Sequence, residues 1–347
     1  MPLLQAPAPV AIRRIALEFL DAARSGSRQL QSNGDDEALH DFRVALRRLR
    51  STLRAYRPWL DDRALSRKLR RRIKRMARAT SRARDTEVAL AWIRRERRYL
   101  DDRAAPGYEW LVAELEKRGA KAYDRIRQEV TEDFDVLDAE VRGALGALAS
   151  TNPAPPFRTA VADTLRAQVV ELADELARIA SIDDTENIHA ARIEAKRLRY
   201  LLEPLVALLP HGKALLSALK RFQDEFGELC DRQVLARELV TAAERYGAER
   251  AQRKVESVLQ GGSQHPRGGA DALPGLLALA ARVTADRTRR LGGIRRRYLG
   301  RRTEAFIEPY RALADELARA APAKVAPTRR RVKPAAVSRR GARTSVR

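Results

Sequence analysis

An all-α chain, arranged as two repeated antiparallel helical bundles with a basic groove and a basic tail, is predicted by three observations. Leu, Ala, Arg and Glu dominate, aromatics make up only 5%, and Gly and Pro gather at a few points, which is the composition of helices. No stretch carries a convincing strand alternation. The third observation is a repeat: Leu39-His40-Asp41-Phe42-Arg43-Val44-Ala45-Leu46-Arg47-Arg48-Leu49-Arg50 returns 149 positions later as Ile188-His189-Ala190-Ala191-Arg192-Ile193-Glu194-Ala195-Lys196-Arg197-Leu198-Arg199. Five positions are identical and three more exchange like for like. Those eight hold every basic residue and the only histidine of each segment.

At about 100° per residue, His40, Arg43, Arg47, Arg50 and Arg54 fall within about 80° on a helix. Leu39, Phe42, Leu46, Leu49 and Leu53 fill the adjoining arc. The second copy sets His189, Arg192, Lys196 and Arg199 beside Ile188, Ala191, Ala195, Leu198 and Leu202. A cationic row that borders the core stripe, rather than opposing it, lines a groove between packed helices, with stems buried and heads reaching a ligand. Arg48 and Arg197 point about 80° off the row.

The 347 residues suit two medium domains, and the repeat spacing matches a typical domain length. The formal charge of +23 predicts attraction to nucleic acid, polyphosphate or an anionic surface. Residues 321–347 hold nine Lys or Arg and no acid, leaving +14 on the remainder. The tail alone therefore does not explain the charge. The single cysteine, Cys230, excludes an intrachain disulfide and reads as a small core residue in a reducing cytoplasm. The opening MPLLQAPAPVAIRR lacks a basic segment followed by a long apolar run, and no stretch approaches a membrane span. The expectation is a cytoplasmic protein without a membrane partner.

Helical periodicity starts near Val10 and breaks at Ser32-Asn33-Gly34, ahead of the first basic helix. Asp35 and Asp184 stand before the two repeated helices as N-caps. Pro58 and Pro210 mark chain exits, and Pro204 predicts a kink. The next helix, over 62–83, places Arg71, Arg75, Arg78 and Arg82 within about 60°. Its counterpart over 212–229 keeps Lys213, Lys220 and Arg221 but adds Asp224, Glu225 and Glu228. Related junctions follow, Arg84-Asp85-Thr86-Glu87-Val88 and Cys230-Asp231-Arg232-Gln233-Val234, whose Asp85 and Asp231 read as structural carboxylates. Further helices are predicted over 85–101, 108–130, 134–149, 157–180, 232–259, 272–302 and 303–320. Lys121 and Arg125, and Arg287, Arg290, Arg297 and Arg301, repeat at helical spacing. Gly292-Gly293 predicts a weak point in its helix. Thr151 to Pro156 is the linker, so the expected units are 9–150, 157–320 and a disordered tail over 321–347. A flexible loop around Gly261 to Gly269 holds His265.

The paired His-x-x-Arg-[Val/Ile]-x-x-[Arg/Lys]-Arg-Leu-Arg helices, each followed by a basic or mixed helix and an Asp-x-x-Val junction, resemble the CHAD family of conserved-histidine α-helical domains over residues 9–320. The resemblance implies a two-part bundle whose central groove binds inorganic polyphosphate, and association with polyphosphate granules. Carried onto this sequence, it implies that His40, Arg43, Arg47 and Arg50 face the polymer from one half, and His189, Arg192, Lys196 and Arg199 from the other. Arg71, Arg75, Arg78 and Lys220 complete the wall, with Lys121, Arg125, Arg290 and Arg297 as further contacts.

A helical row offers one cation per turn, about 5.4 Å along the axis, to a polymer charged at every unit. Arg forks onto two oxygens and Lys acts as a mobile point charge. The scarcity of aromatics on the basic faces argues against a base-stacking groove. The histidines read as phosphate contacts, with structural hydrogen bonding and metal ligation as alternatives. Nucleotide-binding and nucleophile-elbow motifs are missing, as is the Glu-x-Glu-x-Lys strand of the triphosphate tunnel domains often joined to CHAD modules. The expectation is therefore a cofactor-free binding protein, not an enzyme. The rival reading is a DNA- or RNA-binding nucleoid-type protein using the basic faces, and the tail offers a nucleic-acid contact under either.

Overall fold

The computed structural model describes residues 1–32, 36–60, 65–79, 81–148, 154–261 and 271–319. They form ten α-helices: α1 (Ala8–Ser32), α2 (Asp36–Ala55), α3 (Arg67–Ala79), α4 (Ser81–Glu96), α5 (Ala105–Gly146), α6 (Phe157–Ala177), α7 (Thr185–Leu202), α8 (Gly212–Leu259), α9 (Leu273–Tyr298) and α10 (Arg301–Arg319). The described residues contain no strand beyond one isolated bridge, Pro7 with Pro156. There Phe157 N donates to Ala6 O at 2.8 Å and Ala8 N to Pro155 O at 2.9 Å. The chain start is thereby tied to the linker, and α1 and α6 leave from one point.

Each helix buries one stripe. Ile12, Ile15, Ala16, Leu20 and Ala23 of α1 form its buried stripe, and Ala16, Leu20 and Ala23 share a core with Phe42, Leu46 and Leu49 of α2. Packing runs in parallel order in the two halves: α1 lies on α2 and α5, and α6 lies on α7 and α10. Three apolar cores result. One joins α1, α2, α3 and α5, and a second joins α6, α7, α8, α9 and α10 with Ile12 and Ile15 of α1. The third lies where Trp92, Ile93, Leu111 and Leu115 of the first half meet Leu235, Leu239, Leu276 and Leu279 of the second. Core residues are thus shared across the linker.

Several element limits differ from the sequence expectations. The stretch expected as one helix over 62–83 yields α3 and then α4. The helices expected over 108–130 and 134–149 are one 42-residue helix, α5, whose apolar stripe continues through Phe134, Leu137, Val141 and Leu145. The junction at Cys230 to Val234 is no break, because no proline interrupts it and Leu229, Cys230 and Leu235 stay buried along a 48-residue α8. Pro204 does not kink α7; the helix ends at Leu202 and Pro204 sits in the following 3-10 turn. Helix α9 runs through Gly292-Gly293 and ends before Gly300, where φ of 62° suits glycine. Asp184 stands at the start of α7 without capping it. Its carboxylate instead accepts from Ala180 N at 2.6 Å and Ser181 N at 2.7 Å, which closes the preceding loop and lowers its pKa. Asp35, the side chains of Arg82 and Asp85, the loop with His265 and the tail over 321–347 lie outside the described residues.

The starts of α5 and α9 cross at closest approach. Both carry proline in the first turn followed by glycine, Pro106-Gly107 and Pro274-Gly275. A Cβ on Gly107 would meet Ala272 O at 2.1 Å, and one on Gly275 would meet Ala104 O at 2.2 Å. Backbone cannot yield there as a side-chain tip does. Gly275→Ala is expected to destabilise by roughly 1–3 kcal/mol, seen as a lower denaturant midpoint; an unchanged midpoint would mean that the crossing has slack.

Candidate functional site

The two repeated helices, α2 and α7, pack directly on one another. In α2, Leu39, Phe42, Leu46, Leu49 and Leu53 are buried, Arg43, Arg47 and Arg50 are half-buried, and His40 and Arg54 are exposed. In α7, Ile188, Ala191, Ala195, Leu198 and Leu202 are buried, Arg192, Lys196 and Arg199 half-buried, and His189 exposed. The cationic rows border the cores on both helices. Because the helices touch along these borders, the rows meet.

Mutual electrostatics marks the meeting point. Burial depresses the Lys196 ammonium to about 7, helped by Arg192 on its own helix and Arg47 across the seam. Arg50 is lowered first by burial and then by Arg47, Arg54 and Arg78, so a residue of α3 joins the group. Burial also lowers Arg54, with Arg197 of α7 adding to it. Among the described residues, Arg47, Arg50 and Lys196 have no hydrogen-bond or carboxylate partner, and Arg47 Nε is buried without an acceptor. Half-buried like charges without counterions are costly unless a ligand supplies them.

The surroundings hold this group in place. Buried Gln223 of α8 donates to Ala195 O at 2.8 Å and accepts from Arg199 Nη1 at 3.0 Å, aiming that guanidinium. Gly227 of α8 leaves room for Arg192, whose Nε would lie 3.4 Å from an added Cβ. Arg192 reaches Asp231 at 4.0 Å, so Asp231 serves as an arginine partner. Cys230 lies close to Arg192 and Lys196, is buried, and has its thiol pushed up to about 11 by burial. The two off-row arginines are committed elsewhere. Arg48 forks onto Glu203 at 2.9 and 2.8 Å, and Arg197 pairs with Glu194 and with Glu171 at 3.7 Å.

The remaining expected contacts divide into two groups. Arg71, Arg75 and Arg78 lie exposed on α3, while buried Leu69 and Ile73 face the core and Arg72 turns to Glu140 of α5. Arg78 is the one whose charge acts on Arg50. Lys220 of α8 and Lys121 of α5 are exposed, and the side chain of Arg125 lies outside the described residues. Arg290 is different: it donates to Asp286 at 2.9 Å and pairs with Glu228. Arg297 pairs with Glu225 at 2.6 Å. These two guanidiniums face carboxylates of their own fold, as Arg199 does Glu203 at 3.5 Å, whereas Arg47, Arg50 and Lys196 have other cations as their charged neighbours. His189 is lowered by partial burial, then by Arg192, Lys196 and Arg237. The described residues hold no cluster of His, Cys, Asp or Glu able to bind a metal. Gln223, Gly227 and Asp231 went unmarked as site residues in the sequence because their role arises only when α8 is laid on α7.

A helical bundle whose two repeated basic helices share one seam defines the class. The chain belongs to the CHAD domain family, whose model matches residues 14–240. Among solved structures it is similar to the CHAD domain from the plant Ricinus communis, with 22% identity, 90% of this chain and 93% of that one covered, and a TM-score of 0.56. It is also similar to PptA from Streptomyces chartreusis, with 16% identity, 90% and 99% covered, and a TM-score of 0.58. At these identities the likeness concerns the fold. No curated protein sequence matches the chain. No helix among the described residues is long and apolar enough to cross a membrane.

Proposed function

We propose that this protein binds inorganic polyphosphate along the α2–α7 seam, without turning it over, and associates through it with polyphosphate granules. One observation carries the reading: Arg47, Arg50 and Lys196 converge from two helices with no counterion among the described residues. A flexible polyanion supplies that counterion at every unit, and charge-assisted contacts in a half-buried seam are worth more than on open surface. Arg43, His40, Arg192, Arg199 and His189 extend the two rows, and Arg71, Arg75, Arg78 and Lys220 flank them. Membership of a family associated with polyphosphate binding supports the same ligand. The test is a titration of the protein with polyphosphate at fixed salt, with duplex DNA and heparin as competitors, since counterion release makes every polyanion complex salt-sensitive. Polyphosphate retained against equal phosphate equivalents of DNA is the expected result. Displacement by DNA would transfer the site to nucleic acid.

Binding is expected to consume protons. Free Lys196 titrates at about 7, and phosphate beside it raises that value. Protein just above neutral pH therefore takes up a proton on binding, and affinity falls as pH climbs above 7. Calorimetry at pH 7.5 in buffers of different ionisation enthalpy measures this directly. Zero uptake would mean that Lys196 does not touch the polymer.

A further inference from the structure

We propose that the cleft between α2 and α6 binds a free α-amino acid with a large apolar side chain. The cleft has a volume of about 340 Å³, at the lower end of the roughly 300–1,000 Å³ that small-molecule sites occupy. One wall is the end of α2 with the turn after it, the other is a face of α6, and Arg197 of α7 also lines it. Of the α2 row only Arg54 reaches the cleft.

Its chemistry differs from that of the seam. In a chain of net charge +23, the cleft is lined by two guanidiniums, Arg54 and Arg197, and two carboxylates, Asp163 and Glu171, so the formal charges of its lining cancel. A polyanion gains little from such a balance. Ala55, Pro58, Trp59 and Ala167 supply the apolar lining, with Trp59 fixed against the core.

Three groups of the lining lack the partners they need. Arg54 has no hydrogen bond or ion pair among the described residues. Burial and Arg197 lower its pKa, while Glu194 and Glu171 lie near enough to act against them. Glu171 reaches Arg197 only at 3.7 Å, beyond hydrogen-bond range, and is exposed, so its oxygens keep acceptor capacity. It also stands beside Glu194, whose pKa is raised by burial and then by Glu171, against the pull of Arg197. Gln168 is only 8% exposed, and its amide oxygen is enclosed without a donor.

An α-amino head group supplies all three. Its carboxylate is a forked acceptor for Arg54. Its ammonium donates to Glu171, relieves the repulsion between Glu171 and Glu194, and has a further hydrogen for the Gln168 amide. Arg54 and Glu171 interact yet make no direct bridge, which matches a zwitterion set between them. The apolar side chain then lies along Trp59 and Pro58. A nucleoside phosphate would use Arg54 and the Trp59 ring but set its phosphate against Glu171, and a bare amine would leave Arg54 without a partner. The polyphosphate reading is not needed here, because Arg47, Arg50 and Lys196 do not line the cleft.

Calorimetric titration of the full chain with L-phenylalanine tests this, beside phenethylamine, hydrocinnamate and adenosine monophosphate. L-Phenylalanine is expected to bind saturably, and at least about tenfold more tightly than each of the other three, since each lacks one charge-assisted contact or brings a repulsive one. Arg54→Gln should cost L-phenylalanine a similar factor and leave phenethylamine unchanged. Glu171→Gln should weaken L-phenylalanine and phenethylamine and spare hydrocinnamate. Both side chains are exposed, and circular dichroism checks that the variants are folded. Absence of saturable binding, tighter binding of adenosine monophosphate, an analogue that equals L-phenylalanine, or folded variants that bind as the parent does would each overturn the proposal.

Discussion

Replacing Arg47 and Lys196 together by alanine is expected to reduce polyphosphate affinity by about a hundredfold or more. A charge-assisted contact contributes roughly 1.5–3 kcal/mol, and about 1.4 kcal/mol is tenfold in affinity. The two residues share one seam, so their effects will not simply add. Helicity and stability should survive, because neither side chain has a partner among the described residues to lose and their removal relieves repulsion around Arg50 and Arg192. Arg48→Ala is the contrasting variant. Its fork onto Glu203 ties α2 to the turn after α7, so its loss should show first in unfolding. A folded Arg47→Ala/Lys196→Ala protein with unchanged affinity would remove the seam as the binding site.

Asp286→Ala is expected to be the most damaging single change for stability. Asp286 is buried on α9 and accepts from Arg232 Nε of α8 at 3.0 Å, from Arg290 Nε at 2.9 Å, and from Arg289. Arg232 is itself buried, with its guanidinium 4.9 Å from the Trp92 ring of α4. Removing the carboxylate strips that buried cation of its hydrogen-bonded counterion and leaves only the charge of Asp231 nearby, a loss of about 3–5 kcal/mol where one partner of a buried pair is deleted. Replacing both partners, as Arg232→Met with Asp286→Leu, should recover much of the stability, because no orphaned charge remains. Chemical unfolding of the two variants beside the unaltered protein measures this. A small loss in Asp286→Ala would show that water or another acid takes over the role.

Cations without a carboxylate partner among the described residues and cations that hold the fold look alike in the sequence. Arg290 and Arg47 both sit at helical spacing in basic rows. One faces Asp286 and Glu228, the other faces Lys196. The acid-rich stretch at Asp224, Glu225 and Glu228 hinted that the second half is less basic, and Glu225 and Glu228 do pair with Arg297 and Arg290. Direction alone sets Arg48 and Arg197 apart from the rows, since an angle about one helix axis depends on that helix only. Their pairing with Glu203, Glu194 and Glu171 was supplied by the fold.

What the sequence by itself determined is local: the all-α class, the repeated helix, and the cationic row bordering each apolar stripe. These follow from 3.6-residue periodicity, which every helix carries without reference to its neighbours. The tertiary structure alone decided the rest. It merged the expected pairs of helices into α5 and α8, ended α7 ahead of Pro204, crossed α5 and α9 at two glycines, and set Arg47 opposite Lys196. Each of these depends on which stripe lies against which, a matter of burial shared between segments more than a hundred residues apart in the case of Arg47 and Lys196. Charge partners are chosen by the packed neighbour, and spacing along one chain does not contain that choice.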